Sequence, residues 1–169
     1  MVMNEELEER IRGYARFRGG TLRERLGYGI HGIVYVMEDN KNLGRMAVKV
    51  HGAGAPYRRE RRVYERLADL RLSSLRGFAI PRALRFDDEW LAIEMTIVAQ
   101  PFVVDFAEAY LDGPPEFPED VWVEWEAEKQ EQFGGNWTTV SAILEEFRRR
   151  GIHLVDVNPG NISFRQGGA

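Results

Sequence analysis

The chain contains no cysteine, which excludes disulfides, thiolate nucleophiles and cysteine-based metal sites. Histidine is nearly as scarce: His31, His51 and His153 lie far apart, without the spacing of a zinc site. No apolar run approaches the roughly 20 residues of a membrane span. The N-terminus is acidic and polar, unlike a signal peptide. A cytoplasmic location without a membrane partner is therefore expected. Internal repeats and low-complexity tracts are absent as well. A net charge of −4 argues against a nucleic-acid partner, though not against one bound anion. The 169 residues, 44% apolar and 30% charged, have the composition of a soluble globular protein with one domain or two small lobes.

Lysine is also rare, with Lys41, Lys49 and Lys129 set against twenty arginines. Lys49 stands among apolar residues in Ala47-Val48-Lys49-Val50, the end of a longer stretch that begins at Leu26. Within that stretch Gly27, Gly29 and Gly32 form G-x-G-x-x-G, followed by Val34. Ile33, Tyr35 and Met37 alternate with Val34 and Val36, a period of two that predicts strands. The pattern reads as strand, glycine turn, strand, polar turn at Asp39–Asn42, and a third strand carrying Lys49. Glycines let backbone N–H groups approach an anion, and a lysine is a compact charge for phosphate oxygens. A dinucleotide-binding turn would lead into a helix, and here a strand follows. A plain hairpin, with Lys49 reaching out of an edge strand, is the alternative.

The rest of the chain adds further elements. A helix is expected over 4–18, capped by Asn4, packing on the outside of the sheet. His31 stands at the loop tip, solvated or touching a phosphate. Tyr57 to Leu75 reads as an arginine-decorated helix whose stripe of Tyr57, Val63, Tyr64, Leu67 and Leu70 has Glu60 at its middle. A buried acid needs a cation, and Lys49 is the obvious one. The basic face at 58, 59, 61, 62, 66, 71 and 76 is a solvated side tied to Glu65 and Asp69, or a surface for an acidic partner. Two strands follow around Asp87-Asp88. Between Asp105 and Gln132 the composition turns acidic, and a short helix, a loop and a helix over 119–132 are expected. Trp122 and Trp125 share a face there, as buried aromatics or as a docking surface for a protein partner. A last helix over 136–150 stops at Gly151. Asp156 and Asn161 follow, five apart around a proline.

The glycine strand–loop–strand, Lys49, Glu60 and D-x-x-x-x-N resemble the protein kinase-like superfamily over residues 21–164. The chain is also reminiscent of short bacterial kinase-like proteins. The resemblance implies an α+β fold: a five-stranded antiparallel N-lobe with one packed helix over 21–100, and a reduced helical C-lobe over 101–169. It implies ATP and Mg²⁺ as ligands. Gly27, Gly29, Gly32, Val34, Ala47, Lys49, Glu60, Ile93, Glu94 and Met95 would hold the nucleotide, Ile93 closing the back of the pocket. Glu60 would aim Lys49 at the phosphates, Asp156 would accept the acceptor hydroxyl's proton, and Asn161 would hold the metal.

This sequence departs from the family at four points, the first being a gap of 11 residues between Lys49 and Glu60, shorter than usual. His153 lies three residues before Asp156 rather than two, and Asn158 replaces a lysine. No D-F-G follows Asn161, so the second metal-binding aspartate is expected to be absent, with the activation segment and the substrate-binding helices. Three readings stay open: Asp156 doubling as metal ligand, or an acid from 105–132 serving; nucleotide binding without turnover, as in a pseudokinase scaffold; or a piece of a longer protein.

Overall fold

A computed structural model describes residues 2–42 and 44–166. The class is α+β. The largest unit is a five-stranded antiparallel sheet of β1 (Gly20–Gly29), β2 (Gly32–Asp39), β3 (Arg45–His51), β6 (Ala83–Asp87) and β7 (Ala92–Met95), in the order β1-β2-β3-β7-β6. Lys49 lies on β3, hydrogen-bonded on both sides, opposite Val34 of β2 and Ile93 of β7. It is a central-strand lysine, which removes the edge-strand alternative.

The period of two divides the sheet's faces. Ile33, Met37, Met46, Val48, Val50 and Ala92 are buried on one face against Leu7, Ile11, Tyr14 and Ala15 of α1 (Val2–Arg18). Helix α1 thus covers the outside of the sheet, as its apolar spacing predicts. Ala47, Ile93 and Met95 face the other way and join the core of α2 (Gly54–Asp69). That helix starts at Gly54 rather than Tyr57 and ends at Asp69 rather than Leu75, where the chain turns through Arg71 at φ 52. Tyr57, Glu60, Val63, Tyr64 and Leu67 are its buried residues.

The second half is less helical than expected. Residues 105–112 form no helix: β8 (Phe102–Val103) and β9 (Ala109–Leu111) flank a tight turn there. The acidic helix is α3 (Glu119–Phe133), whose buried residues are Lys129 and Phe133 with Trp122 and Trp125 half-buried; in α4 (Trp137–Arg148) Val140, Ile143, Leu144 and Phe147 of the stripe read from the sequence are buried. Two short strands follow, β10 (Ile152–Leu154) and β11 (Ile162–Ser163). β10 pairs with β9 and β11 with β8, both antiparallel. β8 also joins β5 (Phe78–Ala79), which pairs with β4 (Ser74–Leu75), in a four-stranded sheet. Together these pairings lay residues 102–111 along residues 152–163. Among the described residues no helix is long and apolar enough to cross a membrane.

Candidate functional site

Lys49 is buried at 4% exposure, and its Nζ lies 2.8 Å from Glu60 Oε2 and 2.8 Å from Asp105 Oδ1. Glu60 reaches it because α2 presents its buried face to β3. The second ring on Glu60 is His51, two residues on from Lys49. His51 Nε2 lies 2.6 Å from Glu60 Oε2 and Nδ1 lies 3.0 Å from Leu91 O, both within hydrogen-bond distance. The other Glu60 oxygen, Oε1, accepts the backbone N–H of Phe106 at 3.2 Å. Burial alone would raise the Glu60 pKa. Lys49 and the His51 hydrogen bond outweigh it and bring it down to about 2. Burial likewise works against the Lys49 ammonium, and the carboxylates of Glu60 and Asp105 more than reverse this, holding its pKa above the usual value.

A pH dependence follows. Glu60 ionises well below its ordinary value of 4.5. Its charge therefore stabilises the folded chain above about pH 4.5, and that contribution is lost as pH falls towards 2. It amounts to about 3 kcal/mol. Urea unfolding at pH 7, 4 and 3 should show the gap between wild type and Glu60→Gln narrowing steadily, by somewhat more than half of that amount at pH 3. Parallel curves would show that Glu60 carries no such charge linkage.

Asp105 is the residue that sequence reading did not single out. Val104 N donates to Asn161 O at 2.8 Å, which continues the β8–β11 pairing. The next residue, Asp105, turns the chain at φ 66, a left-handed conformation that aspartate tolerates better than most. That turn directs its carboxylate at Lys49 and leaves the N–H of Phe106 facing Glu60. The Phe106 ring is fully buried against Tyr64 and Phe147, with centroids 5.4 and 6.1 Å apart. Asp105 belongs to the 105–132 segment that the sequence left open as the source of a further acid, and it lies about fifty residues before Asp156, not after Asn161. Its only sequence signal is the apolar run Val103-Val104 ending in Asp105-Phe106.

Asp156 and Asn161 lie on the β10–β11 connection. The buried Val157 anchors it, and Trp125 of α3 donates from Nε1 to Val155 O at 3.0 Å. Asn158 Oδ1 accepts from the N–H groups of Gly160 and Asn161, and Asn161 Nδ2 donates to Asp156 O at 3.1 Å. The Asp156 side chain is exposed.

These groups line one cavity of about 530 Å³, together with Gly27, Gly29, Gly32, Val34, Ala47 and Met95. Such a volume suits a nucleotide-sized molecule. Ile93 and Glu94 do not line it. Ile93 is core, and Glu94 is buried on the far side of the sheet, accepting from Tyr14 Oη at 2.8 Å and Arg18 Nε at 2.6 Å. The cavity wall continues instead from Met95 through Thr96, Ile97 and Val98. His31, at the loop tip, donates from Nε2 to Glu108 Oε1 at 2.6 Å, across from the glycine strands.

The three glycines have different reasons. A Cβ on Gly32 would run into the backbone carbonyl of Val50, so close packing of β2 on β3 demands glycine there. A Cβ on Gly27 or Gly29 would meet nothing within 4 Å, and neither residue has a positive φ. No feature of the chain's own packing requires glycine at those two positions.

Comparison with known proteins adds no relative: no family model, no curated protein and no solved structure matches the chain.

Proposed function

We propose that the chain is a small ATP-dependent phosphotransferase of the protein kinase-like type, which moves the γ-phosphoryl group to a hydroxyl. The observation that carries this reading is the gathering of Lys49, Glu60, Asp105, Asp156 and Asn161 around one cavity roofed by the glycine strands. The residues fit the ligands. Gly27 and Gly29 leave open a space that side chains would fill, and backbone N–H groups there suit phosphate oxygens. Among the described residues no three histidines or carboxylates form a closed metal cage. Magnesium held together with phosphates needs only one or two protein carboxylates. Asp105, with Asn161 beside it, would hold the ion, and Asp156 is left free of that duty. When bound, the ion would offset phosphate charge and help the leaving oxygen depart.

The other groups have separate tasks. Glu60 and His51 hold Lys49 in place, and Lys49 places its charge on the phosphates. Asp156 accepts the proton of the acceptor hydroxyl as its oxygen bonds to the γ-phosphorus and the bond to the ADP oxygen breaks. Met95 to Val98 form the wall for the base. Scaffold action without catalysis drew its support from the lack of a second metal carboxylate, and Asp105 weakens that argument.

The test is a thermal melt with ATP, with and without Mg²⁺. Ligand at about 100 times its dissociation constant adds roughly 2.7 kcal/mol, several degrees for a chain of this size. No shift in either condition would overturn the reading. Asp156→Ala should abolish transfer and keep the shift. Among glycine variants, Gly29→Ala should melt within about 0.5 kcal/mol of wild type, as surface changes do, yet lose most of the ATP shift. Gly32→Ala should lose roughly 1–3 kcal/mol of stability without any ligand, through the forced backbone displacement. Equal effects of the two variants would remove the distinction between packing and ligand glycines.

A further inference from the structure

The arginines of α2 are not used alike. Arg59 lies over the Tyr110 ring at 4.8 Å. Arg61 bonds Glu65 at 2.9 Å and Asp88 at 2.6 Å, and Arg66 holds Asp112 through two hydrogen bonds of 2.9 and 3.0 Å. Arg58 and Arg62 remain. They are exposed, one helical turn apart on one face, and among the described residues neither has a carboxylate within salt-bridge distance. Like charges at this spacing repel, so the pair lowers stability unless an anion lies between them.

Both arginines line a cleft of about 450 Å³, with Arg61, Glu65, Asp88, Tyr57 and Leu91. The two carboxylates of the cleft are already engaged. Tyr57 Oη donates to Asp88 Oδ1 at 2.7 Å, and Arg61 holds both acids. The Tyr57 hydrogen bond and Arg61 keep the Asp88 pKa below its usual value. Arg61 is shared between the two acids, so three guanidinium groups against two carboxylates leave the cleft with a net positive charge, beside Leu91 and over the buried Tyr57. Guanidinium forks match tetrahedral oxyanions through paired N–H bonds.

We propose that this cleft on the outer face of α2 is a binding site for a phosphate dianion, held by Arg58 and Arg62. It is separate from the Lys49 cavity, which lies on the other side of the same helix. The dianion is free phosphate or a phosphate carried on an apolar group that covers Tyr57 and Leu91. Occupancy would load the helix that presents Glu60 to Lys49; that consequence rests on the reading of the cavity, and the site itself does not.

The test uses the wild-type chain, labelled so that arginine Nε–Hε signals are resolved, titrated with inorganic phosphate and with phenyl phosphate at constant ionic strength. The signals of Arg58 and Arg62 should move together and saturate, and chloride should move neither. Calorimetric phosphate binding at this site should weaken at least tenfold in R58Q/R62Q, whose melting temperature should not fall below that of wild type, because both side chains are exposed and a like-charge repulsion is removed. Phenyl phosphate binding several-fold tighter than inorganic phosphate assigns the site to a carried phosphate, and equal affinity assigns it to free phosphate. Signals that move equally with chloride, or binding unchanged in the double variant, would overturn the proposal. A failure of ATP to bind the Lys49 cavity would leave this result untouched, so the two readings fail separately.

Discussion

Lys49→Ala should cost about 3–5 kcal/mol of folding stability, the usual range for removing one partner of a buried ion pair. Glu60 would remain at 1% exposure with His51 as its one side-chain partner, and Asp105 would lose its ion pair with Lys49. The cost comes mainly from the buried carboxylate left without its cation, held only by His51 and the Phe106 N–H, so Lys49→Met with Glu60→Gln should be more stable than Lys49→Met alone. A double-mutant cycle in urea isolates that coupling. The ATP-dependent melting shift should vanish in Lys49→Ala and stay absent in the more stable double variant. A shift that survives in the double variant would mean that the nucleotide does not use Lys49.

Asp105→Asn separates the metal's carboxylate from the rest of the site. Transfer to any hydroxyl should fall roughly 10²- to 10⁴-fold, since charge stabilisation by a bound metal is worth several kcal/mol. The melting shift with ATP should lose its dependence on Mg²⁺. Without Mg²⁺ the same variant should bind ATP at least as well as wild type, because a negative charge has left the neighbourhood of the phosphates. Melts with and without the ion, beside a transfer assay, read both effects. Unchanged turnover with unchanged Mg²⁺ dependence would return the metal to Asp156 and Asn161 alone. The two variants also differ in stability. Asp105 is partly exposed and its neutral amide still fits the turn, so Asp105→Asn should be much milder than Lys49→Ala.

Much of this was legible in the chain itself. Alternation placed β2, the glycine and polar turns placed its neighbours β1 and β3, and the faces of Ile33 and Val34 came out as the period requires. The stripe of α2 put Glu60 inward, and an inward acid implied a cation, so the Lys49 pairing was readable before any coordinates. Local pattern was sufficient because each of these inferences needs only neighbours within one element or across one hairpin.

Asp105 and His51 were not legible in that way. His51 looks like the first residue of a loop, yet it ends β3 and is fully buried on Glu60. Nothing in its neighbours signals burial, because burial comes from α1 and α2 closing on it from distant parts of the chain. The same holds for Ile93 and Glu94, whose strand was read correctly and whose side chains turned out to face the core and α1. For residues 105–112 the acidic composition suggested a helix, and pairing with β10 won over that local preference. The amino-acid sequence by itself determined the α+β class, the antiparallel sheet and the Lys49–Glu60 pair. The tertiary structure alone decided that Asp105 joins them, because a β8–β11 pairing across about fifty residues sets which aspartate faces the lysine, and order along the chain does not constrain which strands meet in a sheet.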